Sequence, residues 1–446
     1  MISRRLIIVR APPLKIRRID PLQSYRIRDT GTRRGERFSN FPYTRLMVNG
    51  ARIALLPGLI AAVCWQSSFA QISTDSVVPT DDQLEQIGLE YQDAMNAGDV
   101  DWAVSLFDME AFGMRMAEPL YTNPSDRSEF ALGLVEGGAL ANLIQRQIGA
   151  IESSFGYASY LRVHAIEDMR GPLVRLDLGE NGFEYFLLVV EQRGVSPPKI
   201  ADLFVGTNGE RLSTSAGAIA QLMLEPSESL LGRLFGQSVA NEELLDLFRA
   251  LVLNLRTEDY AAAYEVIETM PAVLRNHRIL AGIAVQVAGR LDEQVYQEEL
   301  RRLAEFYGDD PRTAFLLVDY YFLQGDFGSA MQQVENLEQI FGLDGAIALL
   351  KTTISIELGD ADAALAYAEA GEAAEPLGEN SQLALLNAYL MTDRYEGVVA
   401  TINALEALYG YFFNDEIFAS DPVYADFSRS PEFEAWSAGR ESPVRE

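Results

Sequence analysis

Cysteine and histidine are nearly missing from this chain of 446 residues: there is one cysteine, Cys64, and two histidines, His164 and His277. A single cysteine excludes a disulfide framework. Two histidines far apart cannot build H-E-x-x-H or a multi-histidine centre, so no metal site is expected. Each reads as structural, His164 in a strand and His277 near a helix start. Glycine-rich phosphate loops and the G-x-S-x-G elbow are also missing, which leaves no expected nucleotide or redox cofactor and no catalytic residue. The stretch "DLGENG" at 177–182 opens like a calcium loop, but its twelfth position is Leu188, where a bidentate glutamate is needed. A hairpin turn accounts for it better.

Positive charge is concentrated at one end. The first 70 residues hold 13 of the 36 Lys and Arg and 3 of the 65 Asp and Glu, leaving 23 against 62 in the remainder, a net charge of −39. Such a surface repels phosphate backbones and anionic headgroups, so nucleic acid is excluded as a partner. Acidic pairs carry no catalytic signal here, because so many carboxylates fall near one another by chance.

Long hydrophobic runs are lacking too. The most apolar passage is "ARIALLPGLIAAVCWQSSFAQ" at 51–71, and its core Ile53 to Trp65 spans about thirteen residues, short of the roughly twenty needed to cross a bilayer. One basic residue precedes it and Ser68-Phe69-Ala70 follows, a small-x-small pattern with a cut expected between Ala70 and Gln71. Residues 47–70 therefore read as a signal peptide with translation starting at Met47. Residues 1–46 read as an upstream extension foreign to the working protein; a basic tail or an Arg-rich transit segment are the alternatives. "ISRRLIIV" resembles a twin-arginine signal, but its apolar run stops at Arg10. Cys64 is expected to leave with the signal peptide, since Val63 suits a lipoprotein site poorly. The implied location is the periplasm or the outside of the cell, without a stable membrane anchor after cleavage.

Residues 80–210 predict an α+β domain. In "TDDQLEQIGLEYQDAMNAGD" the residues Leu84, Ile87, Tyr91 and Ala94 recur at helical spacing, with Thr80 or Asp81 as cap and Asn96 to Gly98 as stop. "VDWAVSLFD" and a longer helix through Leu140, Ile144, Ile148 and Ile151 follow. Then come four β-rich runs, "YLRVHAI", "PLVRLDL", "FEYFLLVV" and "KIADLFV", with Gly179 to Gly182 turning the second into the third. Helices followed by a meander that wraps the longest helix, together with "YQDAMNAGDVDWAVSLFD" and "KIADLFV" before "NGERLS", resemble the NTF2-like family. The resemblance implies a pocket between helix and curved sheet, for which Glu184, Tyr185 and Asp202 are the candidates.

Past a helical linker at 211–241 the chain repeats. "YYFLQGDFGSA" aligned with "ISIELGDADAA" puts Gly325 over Gly359, Asp326 over Asp360 and Ala330 over Ala364, each 34 residues apart. The same step reaches Tyr395 and Val398, then backwards Asp292 and Asp259, for about five units between Glu242 and Gly410. Each unit reads as two helices, with Gly-Asp breaking the first and a small residue four positions after Asp admitting the second. Tyr321, Gly325, Asp326 and Ala330, then Gly359, Asp360, Ala364 and Pro376, resemble the tetratricopeptide repeat (TPR). Tyr296 departs from it where Ala is expected. The expected fold is thus an NTF2-like α+β domain followed by an all-α TPR-type solenoid over 242–411, with 412–446 as a capping segment in which Tyr424, Phe427, Phe433 and Trp436 cover the last helix face.

In such arrays the first helix of each unit faces a groove. With unit starts at Pro311, Gly345 and Glu379, the groove positions are Phe315 and Asp319, Leu349 and Thr353, Leu383 and Asn387, with Phe322 one turn beyond. Only Asn387 matches the subfamily that clamps a terminal carboxylate. The lining instead suits a short helical or extended partner segment whose basic residue meets Asp319. The expected function is an exported, non-enzymatic adaptor that binds another protein. The alternative is an enzyme or small-ligand binder using the NTF2-like pocket.

Overall fold

The protein is described here by a computed structural model covering residues 76–440, apart from 119, 122, 137, 180, 181, 218–241, 415–417 and 419–423. The expected leader, signal peptide, Cys64 and most of the expected linker lie outside the described residues. Two compact units divide the chain, one ending at Gly342 and the other beginning at Leu343.

The first unit opens with the two-residue strand β1 (Ser76–Val77) and helix α1 (Asp81–Ala97). Thr80 closes a capping box with Gln83, and Gly98 ends the helix at a φ of 70°. Helices α2 (Val100–Ser105) and α3 (Met109–Ala117) start on Asp99 and Asp108, whose carboxylates accept the first free N–H groups. Then come α4 (Pro124–Glu136) and α5 (Ala139–Ser154). The strands are β2 (Tyr157–Ile166), β3 (Met169–Asp177), β4 (Phe183–Arg193), β5 (Lys199–Val205) and β6 (Glu210–Arg211). They form an antiparallel meander in that order, and β1 adds to the far end of β4. The α+β arrangement read from the sequence is present, with α3 and α4 as helices that reading did not resolve.

Edge strand β2 is tied to α1 by two side chains one turn apart. The amide of Asn96 bonds both the N–H and the C=O of Ala158, at 2.7 and 2.9 Å, and Gln92 Oε1 accepts Tyr160 N–H at 2.8 Å. Three backbone groups of this edge that would template a further strand are thereby satisfied.

Both faces of the sheet are covered. Val174, Leu176, Phe186, Leu188, Val190, Leu203 and Val205 pack on Tyr91 of α1 and on Leu143, Ile144 and Ile148 of α5. The opposite face carries Leu173, Arg175, Phe183, Tyr185, Leu187 and Phe204, also buried. Helices from further along the chain cover it, which explains why β3 to β5 are buried almost continuously rather than alternately.

Those helices are α6 (Glu242–Arg256), α7 (Tyr260–Thr269), the single turn α8 (Ala272–Arg275), α9 (Arg278–Ala288), α10 (Glu293–Tyr307), α11 (Ala314–Leu323) and α12 (Phe327–Phe341). They join the sheet at three places. Phe315 meets Phe183 and Phe341 stacks on Tyr185; Arg278 pairs with Glu210; and the last carbonyls of α12 accept from β2, Phe341 from Arg162 and Ile340 through His164 Nε2 at 2.8 Å. A cation and a ring nitrogen at a helix C-terminus satisfy carbonyls that have no partner inside the helix. Contacts therefore group these helices with the sheet, and the division between the compact units falls at 342.

The second unit holds α13 (Gly345–Leu358), α14 (Ala361–Ala374), α15 (Glu379–Met391), α16 (Tyr395–Tyr409) and α17 (Pro431–Ala438). Helices α13 and α15 are buried on most of their circumference, while α14 and α16 bury one stripe. Gly371 lets α14 close on α13, since a Cβ there would lie 2.4 Å from Ala348 Cβ. Beyond α16, Tyr424, Phe427, Phe433 and Trp436 pack with Val398, Ile402 and Leu405.

One local device starts the second helix of successive pairs. Asp259, Asp292, Asp326 and Asp360 are N-caps, each accepting the backbone N–H three residues on at 3.0–3.1 Å. The residue before the cap is left-handed at Gly325 and Gly359, with φ of 70° and 76°, and also at Glu258. Ala263, Ala330 and Ala364, four residues after the cap, are fully buried; Tyr296 is buried at the same place. Replacing Asp360 by Ala, or Gly359 by Ala, is expected to cost about 1 kcal/mol each. Chemical denaturation of the two variants checks this, and no change in either midpoint contradicts the capping role.

Candidate functional site

The sheet-end carboxylates come first. Glu184 Oε1 accepts Tyr185 N–H at 2.9 Å and Thr207 N–H at 3.0 Å, while Oε2 accepts the Thr207 hydroxyl. It ties the β5–β6 turn to β4. With 1% exposure, burial pushes its carboxyl up to about 7, against the downward pull of bonds from Thr207, Tyr185 and Gly206. Asp202 is fully buried and accepts Leu203 N–H at 2.8 Å and Ser213 N–H at 3.2 Å, together with the Ser213 hydroxyl. Burial raises it as well, opposed chiefly by Ser213. Tyr185 is fully buried between two phenylalanine rings. Glu184 and Tyr185 are consecutive in one strand and so point to opposite faces, and each carboxylate is used up in holding a turn. The three residues do not open onto a shared pocket.

The expected groove residues separate in a similar way. Helix α11 begins close to the expected unit start at Pro311, yet its Phe315 is only 3% exposed, with its ring edge-on to Phe183 at 5.4 Å and Tyr185 at 6.3 Å. The far face of β4 is aromatic, and Phe315, expected in a groove, covers it. Asp319 follows one turn on, 7% exposed, and its described polar contact is the Tyr296 hydroxyl at 3.5 Å. Burial raises its carboxyl well above the usual range. The structure therefore places the expected anchor for a basic residue in an enclosed position. Phe322 is half-buried, edge-on to Phe327.

In the second unit the helices begin at the other two expected unit starts, Gly345 and Glu379. Leu349 lies in a cluster with Leu365, Ala368, Ala384, Leu385 and Ala388, flanked by half-buried Leu383. Thr353 is half-buried and its hydroxyl donates to Leu349 C=O at 2.8 Å. Asn387 is 6% exposed, and its Oδ1 has no hydrogen-bond partner among the described residues. The structure thus gathers Leu349 and Leu383 on one seam between α13 and α15, and leaves Thr353 and Leu383 partly accessible.

Sequence reasoning missed the ion pair of β3. Arg175 Nε donates to both carboxylate oxygens of Asp177, at 2.9 and 3.0 Å, on the strand face opposite α1 and α5, where Arg175 is fully buried. The period-2 alternation in "PLVRLDL" places both residues on one side, but only the covering helices make that side an interior. Among the described residues no group of three or more His, Cys, Asp or Glu is arranged to hold a metal ion. No helix among them is long and apolar enough to cross a membrane. No family model, curated protein or solved structure matches this chain.

Replacing Phe315 by Ala should destabilise the first unit by roughly 3–5 kcal/mol, because it opens a cavity against Tyr185; a loss under about 1 kcal/mol in urea denaturation would mean an exposed ring. Asp319 has a folded-state pKa above its unfolded value. The stability it contributes is therefore complete below about pH 4 and lost as pH rises. The isosteric Asp319→Asn lacks this loss, so its stability relative to the parent should increase from pH 4 to pH 8. A difference independent of pH, measured by denaturation at both ends, contradicts the upward shift of Asp319.

Proposed function

We propose that the protein is an exported, non-enzymatic adaptor whose helical part is a TPR-type solenoid and whose α+β part is NTF2-like. It binds a short helical or extended segment of a partner protein. The observation that carries this reading is the recurrence of Asp-capped helical pairs. Stacked pairs of this kind present their first helices as a continuous surface, and such surfaces serve binding more often than chemistry. On α13 and α15 the accessible part of that surface is Thr353 and Leu383. Leu349 and Asn387 form its base, with Asn387 Oδ1 available to a donor that reaches it. Phe315 and Asp319 are enclosed, so the accessible surface proposed here rests on the second unit. Export to the periplasm or beyond rests on the segment 47–70, and no cofactor is required.

The test uses the full chain as bait in an extract of the compartment it enters, with the Leu383→Ser variant beside it. Leu383 is half-buried, so the substitution should leave the melting temperature within a few degrees of the parent while partner capture falls at least several-fold. Capture unchanged by Leu383→Ser, or no protein retained by either form, counts against the adaptor reading.

A further inference from the structure

The C-terminal helix α17 lies along α16 in the same direction. Trp436 Nε1 donates to Asn403 Oδ1 at 3.2 Å, and one turn further on Arg440 meets Glu406. Between the two helices is an open cleft of about 820 Å³. Its lining joins Glu396, Glu406 and Glu432 to Trp436 and Arg440.

One end of this cleft already holds a guanidinium. Arg440 donates twice to Glu406, Nη1 to Oε2 at 3.0 Å and Nη2 to Oε1 at 2.7 Å, and its guanidinium carbon lies 4.2 Å from the centre of the Trp436 ring. A planar fork on a carboxylate, stacked over an indole, is how proteins distinguish arginine from lysine. Glu406 is held in place for this by Phe413 N–H at 3.0 Å.

The other end has the acids without the cation. Glu396 is in the first turn of α16 and Glu432 in the first turn of α17. Neither has an ion-pair partner among the described residues. With 62 acidic against 23 basic residues beyond position 70, the chain has few cations of its own to supply.

We propose that this cleft binds an arginine side chain carried on an extended segment of a partner protein, with Glu396 and Glu432 receiving its guanidinium. The proposal rests on the adaptor reading and moves the cation-binding function from enclosed Asp319 to an open carboxylate pair. Charge complementarity selects the occupant: two acids without an ion-pair partner among the described residues, lining one cleft, attract a cation, and the neighbouring Arg440 shows which cation fits the geometry.

The experiment titrates the full chain with a labelled peptide, acetyl-Gly-Arg-Leu-Gly-Arg-Gly-amide, by fluorescence anisotropy. The expected result is salt-sensitive binding, weakened at least tenfold in Glu396→Gln/Glu432→Gln and several-fold when the peptide arginines become lysines. Glu129→Gln/Glu136→Gln removes the same charge from exposed positions of α4 and should change affinity less than twofold. Equal losses in the two double variants overturn the proposal in favour of general attraction to an acidic surface. Free L-arginine binding as tightly as the peptide overturns it in favour of a small-molecule site. Binding that appears only after deletion of residues 441–446 overturns it in favour of the chain's own Arg445. Both altered acids are first-turn residues of their helices, so thermal midpoints are read in parallel. If the variant is unfolded, the Trp436 emission of the parent decides: a shift on adding peptide that vanishes in Trp436→Phe supports the site, and no shift overturns it. Peptide binding indifferent to the cleft, with partner capture still dependent on Leu383, removes this proposal and leaves the adaptor reading standing.

Discussion

Tyr185 stacks on Phe341 at 4.4 Å and meets Phe315 edge-on at 6.3 Å. The organisation of the first unit depends on that contact. Each ring removed from water there is worth a few kcal/mol, and paired rings add about 0.5–1.5 kcal/mol beyond the area they bury. Without it the far side of β4 and β5 would expose Phe183, Tyr185, Leu187 and Phe204 together, and an antiparallel sheet seldom leaves so apolar a face in solvent. Covering that face places the helices up to Phe341 with the sheet, sets the division at Gly342, and turns Arg175 and Asp177 into an interior pair.

Burial on both faces also decides the chemistry of the carboxylates. Most of the chain's many acids sit in water and repel one another. The enclosed ones, Glu184, Asp202 and Asp319, are held in or toward the neutral form because a desolvated charge costs more than their hydrogen bonds return. Acids of this kind hold turns and fill interiors. Acids able to meet a cationic partner are the accessible ones, and in the second unit Glu396 and Glu432 flank a cleft whose other end already seats Arg440.

The helical pairs show how far local chemistry reaches. Four aspartates cap four helices through the same bond to the N–H three residues on, and the residue before the cap is left-handed at Glu258 as well as at Gly325 and Gly359. Backbone strain of about 1 kcal/mol at such positions is tolerated because the pairing of the two helices demands the turn. Tyr296 illustrates the complementary case. It occupies a place where three other pairs have alanine, and the larger side chain is accommodated by burial beside Leu300, Leu316 and Leu317, with its hydroxyl turned to Asp319.

What could be read from the amino acids alone was whatever depends on near neighbours. Helix caps act over three or four residues, strand alternation over two, and a Gly-Asp break on its own turn, so the strands, most helices and the spacing of the pairs were legible, while α3 and α4 were not. The continuous apolar run "YFLLVV" in β4 was a further signal, since a strand with one wet face alternates. What was not legible was which face of each element ends up inside. Phe315 and Leu383 occupy equivalent positions in their helices, yet one is enclosed by β4 and the other stays half in solvent. That difference is made by residues far away in the chain, because burial is a property of what packs against a side chain and periodicity reports only which side chains share a face.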